Sequence, residues 1–139
     1  MHRKFQIKQR ALTYLSIAAA ALALGAGAFA QGTGFKRTPL QRSDDPGSQA
    51  YEVIQGQADI DPGGSSGLHW HHGIEMGYVV SGEIQLERAG KPTATIKAGE
   101  AFLIDPTLHH NASNKGPSPA RVLATYVVEK GKPLAENVK

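Results

Sequence analysis

Six turn signals divide residues 51–129 into short stretches: Asp61-Pro62-Gly63-Gly64, Ser81-Gly82, Ala89-Gly90-Lys91-Pro92, Ala98-Gly99, Asp105-Pro106 and Lys115-Gly116-Pro117. Gly and Pro supply the backbone geometry that tight turns need. The stretches between them are rich in Val, Ile, Leu, Tyr and Phe, and none carries a helical period of useful length. Strands are expected at residues 51–58, 68–72, 76–80, 83–88, 93–96, 101–104, 109–113 and 121–129. Many short strands at regular spacing, without helices, make an all-β sandwich, jelly roll or barrel.

Outside that block the text changes character. Arg3, Lys4, Lys8 and Arg10 precede an uncharged Ala- and Leu-rich stretch that ends in Ala28-Phe29-Ala30. A basic start, an apolar middle and an A-x-A site read as a secretory signal peptide, residues 1–30, placing the mature protein in a secreted or periplasmic location. The competing reading is an uncleaved anchor, since residues 11–30 are about long enough to span a bilayer. Residues 31–49 are polar and aperiodic and read as a flexible N-terminal arm; residues 50–129 form one domain, and residues 130–139 read as a polar tail.

The formal net charge of +3 belongs to the leader. Without residues 1–30, 11 Lys and Arg stand against 12 Asp and Glu, with no basic run. Nucleic acid is therefore not an expected partner, and neither is a membrane once the leader is removed. Cysteine is absent, which rules out disulfides, zinc–thiolate sites and thiol nucleophiles. No Gly-rich phosphate loop or serine-nucleophile motif is present.

The histidines carry the chemistry. Beyond residue 30 they occur only as His69, His71, His72 and as His109, His110. On a strand, residues i and i+2 share a face, so His69 and His71 point the same way. Glu75 follows four residues later. Two imidazoles and a carboxylate suit a borderline divalent metal, and the second pair can add a third imidazole from another strand. Adjacent strand residues face opposite ways, so only one of His109 and His110 can join, and His72 should lie outside. Trp70 alternates with His69 and His71 and should pack away from them. Tyr78, Val80, Phe102, Ile104, Leu123 and Tyr126 are expected in the core or lining a largely apolar pocket.

These residues resemble the cupin superfamily. Its first motif, G-x5-H-x-H-x3-E-x6-G, is matched by Gly63, His69, His71, Glu75 and Gly82; its second, G-x5-P-x-G-x2-H-x3-N, by Gly99, His110 and Asn114. Asp105 stands where Pro is usual, with Pro106 next to it, and Thr107 replaces Gly. The resemblance implies a double-stranded β-helix, the jelly-roll barrel of cupins. It also implies one divalent transition metal ion (Zn, Cu, Ni, Fe or Mn) on His69, His71, Glu75 and His110. In such a scheme Glu75 is either a ligand or the group that takes a substrate proton. The activity it suggests is that of a metal-dependent dioxygenase acting on a small, partly aromatic or enolisable substrate. Two alternatives stand beside it: a non-catalytic small-ligand or metal-binding barrel, and a metal that only stabilises the fold. A barrel of this size with exposed edges is expected to pair as a homodimer.

Overall fold

The computed structural model describes residues 32–138. The signal-peptide and anchor readings of residues 1–30 fall outside the described residues. Ten strands follow one another: β1 (Phe35–Asp44), β2 (Tyr51–Ile60), β3 (His69–Trp70), β4 (Gly73–Ser81), β5 (Glu83–Arg88), β6 (Lys91–Lys97), β7 (Ala101–Ile104), β8 (His110–Ser113), β9 (Ala120–Glu129) and β10 (Glu136–Asn137). They form two five-stranded antiparallel sheets, β1-β2-β9-β4-β7 and β10-β3-β8-β5-β6. This is the expected all-β jelly roll, with no helix among the described residues.

Alternation explains the packing. In β2 and β9 every second residue is buried, which is the mark of a sheet with one wet and one dry face. One apolar cluster joins Ala58, Ile60, Val79, Ile84, Ala120 and Val122, flanked by Phe35, Ile96, Phe102 and Ala112. A second joins Ile54, Ala124, Tyr126 and Val128, with Leu134 against it. Asn114 closes one end: its buried amide donates to the carbonyls of Ile60 and Ser118, and its oxygen accepts from the Gly116 N–H.

Several expectations need correction. The segment expected as an irregular arm contains β1, paired with β2 over nearly its full length. It is an edge strand bonded on one side only. Its outer residues therefore need no apolar alternation, and Pro39 is tolerated beside the register shift between Pro39 and Gln41. The polar tail likewise contains β10, which pairs with β3, while Ala135 is buried. Tyr78 and Val80 are not core: they are 47% and 49% exposed. Glu75, Gly77 and Val79 are the buried side of β4, so the residues between them face out. Gly77 is required there, because a Cβ would lie 2.0 Å from the Phe102 ring. Ile104 and Tyr126 are buried as expected, Phe102 is packed partly against the core, and Leu123 is half-buried.

Candidate metal centre

The two sheets supply opposite walls of one site. His69 on β3 and His110 on β8 are direct cross-strand partners. His71 follows β3 immediately. Glu75 comes from β4 in the other sheet, where it lies between Ile104 of β7 and Tyr126 of β9. All four side chains are buried, and one ligand atom from each lies within 4.8 Å of the others. The ring centroids of His69 and His110 are 4.2 Å apart, those of His69 and His71 4.9 Å, and those of His71 and His110 5.1 Å.

Backbone carbonyls set the tautomers. His69 Nδ1–H donates to Gly67 O at 2.8 Å, His110 Nδ1–H to Leu108 O at 2.9 Å, and His71 Nδ1–H to Leu134 O. A nitrogen facing a carbonyl must carry the proton, so in each neutral ring the Nε2 lone pair is left for the interior. Yet His71 Nε2 and His110 Nε2 approach the same Glu75 Oε2, at 3.0 and 3.1 Å. Lone pairs do not face a carboxylate oxygen at that distance without positive charge between them. A cation seated among these groups would supply that charge. Three imidazole nitrogens and a carboxylate, with no thiolate, suit a first-row divalent ion. Carbonyls that hold the far ring nitrogens are the supports that metal-binding histidines use.

The charges are arranged to match. Burial, reinforced by the His110 charge, pushes His69 down to about 3, so its ring stays neutral. Burial pushes the Glu75 carboxyl up, but the His110 and His71 contacts together outweigh it and hold Glu75 below the usual carboxylate range. Burial and the nearby Glu75 charge push the Tyr126 hydroxyl up, so it keeps its proton. Its ring packs on His71 at 4.9 Å.

Of the histidine pairs, the structure brings in His110 and leaves His109 exposed. His72 lies outside the cluster: it stacks on Trp70 and its Nε2 meets Glu136 at 3.1 Å. The departure from the second motif also has a structural consequence. Thr107, where Gly is usual, is the only non-glycine with positive φ among the described residues, at 61°. Its N–H donates to the His71 carbonyl at 3.0 Å, so the unusual turn is tied to the strand end that carries a cluster histidine.

A cavity of about 30 Å³ opens beside the cluster, room for roughly two waters. Phe35, Leu86, Phe102 and Val122 give it apolar walls, as expected, and Arg37 from β1 reaches into it. Sequence reasoning missed Arg37 because it lies in the segment taken for an arm. It also missed the Leu134 carbonyl, a backbone contact that no side-chain pattern announces.

A family model described as a cupin domain matches residues 45–126. The chain is 37% identical over 86 residues to germin-like protein subfamily 2 member 2 of Arabidopsis thaliana, covering 58% of this chain and 39% of that protein. Among solved structures it resembles oxalate oxidase in complex with the substrate analogue glycolate (TM-score 0.61, 24% identity, 76% of this chain and 55% of that one). It is also similar to the polyketide cyclase RemF of Streptomyces resistomycificus (TM-score 0.61, 22% identity, 78% of this chain and 74% of that one). At these identities the structural likeness speaks for the fold. With the matched domain covering more than half of the sequence and both motif histidine sets meeting in one buried cluster, the chain belongs to the cupin family.

Proposed function

We propose that His69, His71, Glu75 and His110 hold one divalent transition metal ion, and that the adjoining cavity binds a small oxygen-bearing substrate in an enzyme of dioxygenase type. The observation that carries the reading is the set of three backbone-anchored imidazoles whose free nitrogens converge on one ionised carboxylate. Bound there, the ion would supply Lewis acidity and, when redox-active, electron transfer to dioxygen. The chain's own residues do the rest. Among the described residues Glu75 is the only carboxylate lining the cavity, so it is either a ligand or the acceptor of a substrate proton. Tyr126, whose proton is held tightly, serves as a hydrogen-bond donor. The apolar walls exclude bulk water. The cavity volume favours a compact enolisable substrate over an aromatic one.

A second reading, capture of a small ligand or metal without turnover, is favoured by that same small volume and by the lack of any carboxylate besides Glu75 in the lining. Oxygen uptake separates the two. Chelator-stripped protein loaded in turn with iron, manganese, copper, nickel or zinc is offered a panel of enolisable and phenolic compounds, flavonols included. Enzyme function predicts uptake above that of the free ion, lost in Glu75→Gln. Ligand-induced stabilisation without uptake identifies a binder.

The proposal extends to location and assembly. Export with cleavage after Ala30 predicts a mature chain beginning at Gln31, read by intact mass; a full-length form held in the membrane fraction would contradict it. The outer face of β4 and β7 exposes Met76, Tyr78, Val80 and Leu103, a surface suited to a second copy of the chain. Light scattering at micromolar concentration should give a dimer mass, and a monomer mass would refute pairing.

A further inference from the structure

Among the described residues Arg37 is the one charged side chain lining the cavity that the proposed metal site does not use. It lies on β1 opposite Ala58, on the inner face of the sheet. Its guanidinium sits 5.3 Å from the centroid of the Phe35 ring and 5.8 Å from that of Tyr126. Its Nε is buried without a hydrogen-bond partner. Among the described residues no carboxylate lies within ion-pair distance of it, unlike Arg42 with Glu52 or Arg121 with Asp59. The Tyr126 hydroxyl meets the Arg37 side chain, but a neutral oxygen does not balance its charge, and the buried Nε donor is costly unless something supplies an acceptor.

The charge balance names the missing group. Glu75 contributes one negative charge and Arg37 one positive charge, so a divalent ion would leave the cavity at about +2 with little solvent to screen it. We infer that the cavity binds a small carboxylate, with one end facing the metal cluster and the anionic group answered by Arg37 across the faces of Phe35 and Tyr126. A planar guanidinium pairs well with a carboxylate, and the rings on which it rests hold it by cation–π attraction. With about 30 Å³ free, the acid has only a few non-hydrogen atoms. This inference rests on the metal reading and names the substrate class for that site.

The test uses the cobalt(II)-loaded protein, whose visible spectrum reports on ligands near the ion, with acetate as probe and acetamide as its neutral isostere. Wild-type protein should bind one cobalt and respond to acetate, and acetamide should bind at least tenfold more weakly. Arg37→Gln should keep its cobalt and lose roughly 10- to 100-fold in acetate affinity, the loss expected for a charge-assisted hydrogen bond. Arg37→Lys, which keeps the charge but not the fork, should fall between. Acetate binding of unchanged strength in a cobalt-replete Arg37→Gln protein would overturn the inference while leaving the metal site standing. Equal affinity of the wild type for acetate and acetamide would overturn it too, without reliance on any variant. Failure of the wild type to take up cobalt would sink the metal reading and this inference with it.

Discussion

Removing the metal and lowering the pH should destabilise the protein through one identifiable proton. Burial, with the His110 charge adding to it, pushes His69 down to about 3 in the folded chain; in the unfolded chain its pKa is about 6.5. Between those values the unfolded state binds a proton at His69 that the folded state refuses. The stability contributed by a neutral His69 is therefore complete above about pH 6.5 and is lost as pH falls towards 3. Each pH unit in that window costs about 1.4 kcal/mol. Going from pH 7 to pH 5 should thus remove about 2 kcal/mol through this residue alone. For a domain near 100 residues that corresponds to a drop in Tm of roughly 8–16 °C. Urea denaturation of chelator-stripped protein at the two pH values measures it, with His69→Gln as the control that cannot take up the proton. The wild type should lose about 2 kcal/mol more than the variant. Equal losses would refute the claim that burial keeps His69 unprotonated. A bound ion acts with the same sign, since it too requires the unprotonated ring.

Three other outcomes follow from the geometry. His110→Ala should lose most bound metal while His109→Ala retains it, as read by elemental analysis of dialysed protein; the reverse would contradict the register of β8. Thr107→Gly should raise stability by about 1 kcal/mol in urea melts, because a β-branched residue at φ 61° gives up left-handed strain; a destabilised variant would show that no strain is stored there. Truncation after Pro133 removes the carbonyl that holds His71 Nδ1 and should weaken metal affinity roughly 10- to 100-fold. Unchanged affinity would show that the Leu134 contact does not orient the ring.

Much of the barrel was legible because its central strands have one wet face and one dry one. Stretches rich in Val, Ile, Leu, Tyr and Phe marked β2 and β9, and glycine and proline marked the turns. Parity carried further than hydrophobicity did. Once Glu75 is placed inward, Gly77 and Val79 must follow it, and Tyr78 and Val80 must face out; their apolar character pointed the other way because the outer face of β4 is itself apolar. The first and last strands, β1 and β10, were the hardest part. β1 is bonded on one side only, so its polar sequence carries no burial pattern, and Arg37 went unseen with it. The four cluster residues were legible because the chemistry needs those side-chain types at those spacings. Their supports were not, because Gly67, Leu108 and Leu134 act through backbone oxygens that any residue possesses.

The central claim is that three imidazoles and one carboxylate close around a single ion. X-ray absorption of protein loaded with one equivalent of zinc tests it most directly. The account predicts one tightly held ion per chain with three imidazole nitrogens at about 2.0–2.1 Å and a carboxylate oxygen at about 2.0–2.2 Å. An ion held by fewer than three imidazoles, or no stoichiometric uptake, would contradict it.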